Sequence, residues 1–390
     1  MDLANLAALR LDLTNQGVRL ADDLLAAGFG LAFSDGSEHA EGLDLILPGN
    51  WWTNVCVAPG YARTSPYELA LVDARVEPVQ LVLRHRSKGD IPVTVPSTSR
   101  FRHATTHTGV SCGDIGAIHG AWLVIAPFAA RDGIGLDRPR RFLGVPPQRA
   151  LTKSVWAVDD VVACAEAAWH FGGARLVHLE AGHLLREDGG VADLAPYITA
   201  LHRALPSLIS VSVLPPENPT AVLDLYAAGC DAVSYHLLAW DEAAAQRVAP
   251  VRTRFVPHAR LHAALREAAR IFPAGAVSTD LLIGLEPLAN VAVAVTELVA
   301  TGVIPNLALF RPLPGAEDDA PHGEMVPTEP LLAVMAERQR HIAATPLWHS
   351  RVRGFARTLS GFDRYSPRWS DRCYASLRRH LRVALPEAIA

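Results

Sequence analysis

Six side chains with acid, base or ligand chemistry stand at the ends of apolar runs in this chain. His178 and Glu180 lie in the run HLEAG, and His183 follows three residues after Glu180. His236 lies in SYHLLAW, Glu286 closes IGLE, and Arg311 follows LALF. Strand alternation puts His178 and Glu180 on one face. Imidazoles and carboxylates are the commonest proton carriers in catalysis, so Glu180, His183, His236 and Glu286 are candidate acid/base groups. Two histidines with a carboxylate also make a donor set for non-haem iron. His178, Glu180, His183 and His236 supply those types, although their spacing matches no ligand motif. The plainer alternative makes His178 and His236 hydrogen-bonded core residues, with Glu180 capping the next turn. His103 and His107 are four apart in FRHATTH. That spacing pairs them only in a helix, and Thr105 and Thr106 favour a polar loop.

The elements that carry these residues alternate regularly. From about Asp159 onward, amphipathic helices such as VDDVVACAEAAWHFG are followed by short apolar strands such as ARLVHLE. The order repeats through SLISVSVLPPE, DAVSYHLLAW, AVSTDLLIGLEP and NLALFRPLP. Counting AWLVIAPF before them, there are six β/α units, which implies parallel strands joined by crossover helices. The expected fold is α/β, a TIM-type barrel that is full or partial, with its site at the C-terminal ends of the strands. Residues 1–100 differ. They alternate like antiparallel strands with Pro/Gly turns, including a hairpin over VQLVLRHRSKGDIPVTVP turning at Lys88 to Asp90. An N-terminal α+β extension is therefore expected over 1–100, the barrel over 101–340, and a helical, Arg-rich tail over 341–390. Trp51 and Trp52 are adjacent, so in a strand they face opposite ways, one into the core.

Composition narrows the function. Half of the 390 residues are apolar and 19% are charged, which fits a large packed core. The formal net charge is −4, from 36 basic and 40 acidic side chains. That balance gives no electrostatic reason to expect nucleic acid or a membrane surface as partner. No apolar run reaches the length of a membrane span. The start, MDLANLAALRLDL, lacks a signal peptide's basic stretch and cleavage site, so a cytoplasmic protein is expected. Cys56, Cys112, Cys164, Cys230 and Cys373 are widely separated, without a CxxC pair. No GxGxxG follows a strand, and neither GxxxxGK[ST] nor GxSxG occurs.

Several stretches share an order with a known family. STDLLIGLEP is similar to a Gly-x-Ile-x-Gly-x-x-Glu strand motif, with one residue fewer between Gly284 and Glu286. LYAAGCDAVSYHLLAWD, HLEAGHLLREDGG, GVIPNLALFRPLPGA and THTGVSCGDIGAIHG match other segments in sequence order. Together, from Ser97 to Arg340, the chain resembles the radical S-adenosylmethionine (SAM) superfamily, in its biotin-synthase-like branch. The resemblance implies a groove for SAM or another ligand formed by Gly182, Ser212, Gly284, Glu286 and Arg311. It also implies a [4Fe–4S] cluster held by three cysteines after the first barrel strand.

Here the sequence departs from that family. Where the branch ends its cluster loop with Cys-[Arg/Lys]-Phe-Cys, this chain has Arg140, Arg141, Phe142 and Leu143. Only Phe142 is kept, and APFAARDGIGLD upstream contains no cysteine. Since thiolates hold such clusters, no conventional cluster is expected. A strand glutamate that helps hold SAM in the branch is replaced by Leu238. Three functional readings follow. One is a pseudoenzyme that has lost its cluster and SAM ligands and acts as a partner or regulatory subunit of an active homologue or a pathway enzyme, with no resident cofactor. The second is a barrel enzyme repurposed for lyase, isomerase or transferase chemistry on a small molecule at the barrel mouth. The third is a radical SAM enzyme with an unconventional cluster drawn from distant cysteines such as Cys56 and Cys112. The loop around Arg138, Arg140 and Arg141 fills the cluster's space with Leu143, offers charge to an anion or a partner, or simply leaves three solvated arginines around Pro139.

Overall fold

A computed structural model describes residues 3–26, 43–49, 51–57, 62–73, 75–76, 79–87, 89–95, 99–119, 122–128, 155–181, 184, 186–310 and 326–344. They form two sheets. The first contains β1 (Arg19–Leu20), β2 (Leu43–Leu47), β3 (Trp51–Val55), β4 (Tyr67–Asp73), β5 (Gln80–His85) and β6 (Gly89–Thr94), in the order β1-β4-β5-β6-β2-β3. All its pairings are antiparallel except β1 with β4. Alternate residues of β2 and β3 are buried, which is the expected pattern for a sheet with one face on a core. Trp51 points inward with Leu43, Leu45 and Leu47, while Trp52 is half-buried. The hairpin differs from its expected position. His85 pairs with Gly89 and β6 begins there, so Gly89 and Asp90 of the expected turn lie in the strand, while Lys88 is outside the described residues. Gly89, at φ +79°, starts β6 in a conformation that glycine adopts without strain.

The second sheet contains β7 (Gly116–His119), β8 (Trp122–Ile125), β9 (Leu176–Glu180), β10 (Leu208–Ser212), β11 (Ala232–Ser234), β12 (Val277–Ile283) and β13 (Ile304–Leu309). Their spatial order is their sequence order, and β8 to β13 are all parallel. Only β7 runs antiparallel, as a short hairpin partner of β8. Parallel neighbours need long crossovers, and helices Val158–Phe171, Val191–Ala204, Val222–Ala228, His258–Ile271 and Leu288–Ala300 lie in them. Helix Thr328–Ala343 follows β13. The six β/α units thus form an open half-barrel among the described residues.

Two departures from the expected elements matter for the site. The run DAVSYHLLAW is a strand only over Ala232–Ser234. The crossover after it contains two extra helices, Glu242–Val248 and Pro250–Phe255. Pro250 begins the second, where a missing N–H costs nothing.

The outward faces of the parallel strands, including Leu179, Ile209, Val211, Val233 and Leu281, pack with the helices into one large apolar core. A separate core lies under the first sheet, built from Leu6, Leu9 and Leu13 of helix Leu3–Gln16 with the sheet's inward residues. That helix also joins the far end of the chain. Thr328 donates to Asp12 Oδ1 at 3.0 Å, Asn15 donates to the Val326 carbonyl at 2.7 Å, and Tyr67 donates to Asp12 Oδ2. Burial first, and then the Asp12 carboxylate, raise the pKa of the Tyr67 phenol and keep it protonated as that donor. No helix among the described residues is long and apolar enough to cross a membrane. The Arg-rich tail lies outside the described residues beyond 344.

Candidate active site

The inner face of the parallel sheet is polar. Parallel register aligns Glu180 with Ser212, Ser212 with Ser234, and Ser234 with Ser278. It also aligns His178 with Ser210 and Asp280 with Asn306. Residues paired across neighbouring strands share a face, and period two keeps the next residue but one on it. Strands β9, β10 and β12, with Ser234 at the end of β11 and His236 just beyond it, therefore line one lumen with polar side chains.

His178 is buried and held on both nitrogens. Nδ1 lies 2.7 Å from Ser210 Oγ, and Nε2 lies 3.1 Å from Ser212 Oγ and 3.2 Å from Glu180 Oε2. The other oxygen of Glu180, Oε1, is 3.4 Å from His236 Nε2. His236 Nδ1 is 2.7 Å from Asp280 Oδ2, and Asn306 Nδ2 donates to Asp280 Oδ1 at 2.9 Å. The result is a continuous chain from Asn306 through Asp280, His236, Glu180 and His178 to two serines. Burial opposes charge on His236, but Asp280 and then Glu180 outweigh it and push its pKa up to about 9. At neutral pH His236 is therefore an imidazolium between two carboxylates.

The backbone around His236 is fixed by side chains. Because β11 stops at Ser234, the ladder to β12 is completed partly by Thr279, whose hydroxyl accepts from Leu237 N at 3.0 Å and donates to the Tyr235 carbonyl at 2.5 Å. Leu238 then rejoins β12, accepting from Leu282 N at 2.7 Å and donating to the Asp280 carbonyl at 2.9 Å. Its φ of +74° is unusual for a residue with a branched side chain. Arg252, buried at the start of the second extra helix, donates to the His236 carbonyl. Burial lowers its pKa to about 10, which leaves it charged at neutral pH.

Glu286 is hydrogen-bonded to a backbone loop. Its two oxygens accept from Trp240 N at 2.6 Å and Asp241 N at 2.9 Å, and Asn290 donates to it at 3.5 Å. It fixes the loop that enters helix Glu242–Val248, and both oxygens are committed there. Gly284, at φ +103°, makes the turn that carries it. Of the proposed groove, Ser212 reaches the lumen chain, while Gly182 and Arg311 lie outside the described residues. His183, the loop with Arg140, Phe142 and Leu143, and Cys373 also lie outside them. His103 and His107 are exposed in a loop.

Asp280, Ser210 and Asn306 are site residues that motif reading passed over. The available signal was polar residues recurring at period two in strands otherwise apolar on both faces. Among the described residues, no group of three or more His, Cys, Asp or Glu side chains is arranged to hold a metal ion. The described thiols do not gather into such a group either. Cys56, Cys112, Cys164 and Cys230 are buried. The Cys164 thiol lies beside Cys112, lowering its pKa, and donates to the Cys112 carbonyl at 3.6 Å. Cys230 donates to the Ala232 carbonyl at 3.0 Å.

No protein-family model and no curated protein matches the chain. Among solved structures it is similar to methylornithine synthase (PylB), at 11% identity and a TM-score of 0.43, covering 58% of this chain and 64% of that one. It is also similar to coproporphyrinogen III oxidase (HemN) from Escherichia coli, a radical SAM enzyme, at 16% identity and a TM-score of 0.34. That likeness covers 44% of this chain and 40% of the other.

Proposed function

We propose that this chain is a half-barrel enzyme of radical-SAM-like ancestry that moves protons on a small polar substrate in its lumen. The reaction class is lyase or isomerase chemistry without a radical step. The observation that carries this reading is the His236 imidazolium held between Asp280 and Glu180. A protonated imidazole and a carboxylate that meet in one lumen are a general acid and a general base with different proton affinities. Asp280 at 2.7 Å is an ion pair that holds the ring protonated. Glu180 at 3.4 Å is a loose contact, which a substrate group can displace. In this assignment His236 Nε2 donates a proton, Glu180 removes one, and Asp280 is a positioning residue.

Incubation of the protein with a metabolite extract in D2O tests this. The wild-type protein should place deuterium in at least one compound, and Glu180→Gln should abolish the incorporation. A wild-type protein that labels and consumes nothing would remove the reading.

A second reading has one observation in its favour. No cysteine lies between Cys112 and Cys164, the span in which the resembling family keeps its cluster ligands. Such a chain can serve as a partner of an active homologue or pathway enzyme, with no resident cofactor. Co-purification with such an enzyme, together with a change in that enzyme's turnover, would support the partner role. SAM binding separates both readings from a radical enzyme only if binding is followed by reductive cleavage.

A further inference from the structure

The lumen has a feature that the proton chain does not use. His178, Ser210, Ser212, Ser234, Ser278, Asp280 and Asn306 surround a narrow cavity with room for about one water-sized group. Two polar atoms on residues of its wall have no partner, Ser234 Oγ and Asn306 Oδ1. Their residues are 8% and 3% exposed, so neither atom is satisfied by bulk solvent. A buried polar atom left without a partner costs about 1–3 kcal/mol.

The chemistry of the missing partner follows from Asn306. Its Nδ2 donates to Asp280, and a carboxylate only accepts, so the amide cannot be turned round. Oδ1 is therefore an acceptor that needs a hydrogen. Ser234 Oγ can donate or accept. Sulfate and carboxylate groups carry no hydrogen for Oδ1 when ionised, and any oxyanion, phosphate included, would also meet the Asp280 carboxylate. A hydroxyl or a primary amine satisfies every condition.

We infer that the cavity seats the protic end, a hydroxyl or amino group, of a small substrate whose remainder reaches His236 and Glu180. The inference rests on the lumen being the site of the proposed chemistry. It narrows the substrate class to small amino alcohols, polyols and amines, and it excludes molecules that enter with an oxyanion first.

Saturation-transfer NMR with 2-aminoethanol and glycerol as probes tests it, with acetate and inorganic phosphate as competitors. The protic probes should bind, the oxyanions should not displace them, and Ser234→Ala should weaken binding about three- to tenfold. Ser234→Val, which fills the cavity, should abolish it, with thermal unfolding used to confirm that each variant folds. Displacement by acetate or phosphate, or binding unchanged in both variants, would overturn the inference. If deuterium labelling fails while probe binding follows this pattern, the catalytic reading falls and the ligand site stands. If labelling succeeds while Ser234 is indifferent, the opposite holds.

Discussion

His236 Nδ1, two residues past the end of β11, and Asp280 Oδ2 on β12 stand 2.7 Å apart, facing the inside of the half-barrel. Asn306 fixes the far oxygen of Asp280, and Glu180 faces the far nitrogen of His236. The pair therefore sets the charge of the imidazole.

Stability should fall in alkaline solution because of this ring. With a folded pKa of about 9 and an ordinary value of 6.5, folding takes up a proton at His236 between those limits. Its contribution is complete below pH 6.5, declines as pH rises through about 9, and is on the order of 3 kcal/mol at most. Thermal unfolding of the wild type between pH 7 and 10 should show the decline, and His236→Gln should remove that component. A His236 Cε1 proton resonance that titrates near 6.5 would contradict the geometry.

Asp280→Asn should lower the His236 pKa, since the carboxylate is the strongest influence raising it. The same resonance should then titrate at lower pH, and deuterium labelling should show a pH profile displaced in the same direction. A purely structural role for Asp280 would change stability but leave the labelling profile in place.

Thr279→Val keeps the shape of the side chain but removes the hydroxyl that completes the ladder beside His236. The buried Leu237 N–H then loses its partner, at a cost of about 1–3 kcal/mol. Thr279→Ser should recover most of this in urea unfolding, because it restores the hydroxyl. Equal losses in both variants would mean that the methyl group matters more than the hydrogen bonds.

Much of this arrangement is legible in the sequence, for physical reasons that differ by element. Helices such as Val158–Phe171 announce themselves by a 3.6-residue apolar rhythm and acidic first turns. Gly229, at φ +110°, is the stop that the sequence expects after Ala228. The strand through His236 was harder to bound, because Tyr235, Leu237 and Leu238 are apolar like strand residues although the ladder there is completed by Thr279. The role of Glu286 was invisible because its partners are backbone amides 45 and 46 positions away. The lumen chain was half-visible. Alternation paired His178 with Glu180, but only the register of β9 to β13 shows which serines, and which aspartate, they meet.

Glu286→Gln should destabilise the fold by about 1–3 kcal/mol, since an amide NH2 would then face the backbone N–H of Trp240 or Asp241. The His236 titration should stay where it is. A large change in that titration with little loss of stability would place Glu286 in the proton chain after all.

Anaerobic iron–sulfur reconstitution should give no visible cluster absorbance, because the four described thiols are buried, with Cys164 and Cys230 donating to carbonyls. A stable absorbance that survives desalting would restore a radical mechanism.

The tie between helix Leu3–Gln16 and helix Thr328–Ala343 has a consequence for biogenesis. Asp12 and Thr328 are separated by 316 positions. At about 5–20 residues per second, a ribosome needs roughly 16–60 seconds to make the distance between them. Through that interval the opening helix has its own sheet to rest on but not its closing partner. Asp12 can meet Tyr67 once the first sheet is made, but its bond from Thr328 must wait until the last β/α unit has emerged.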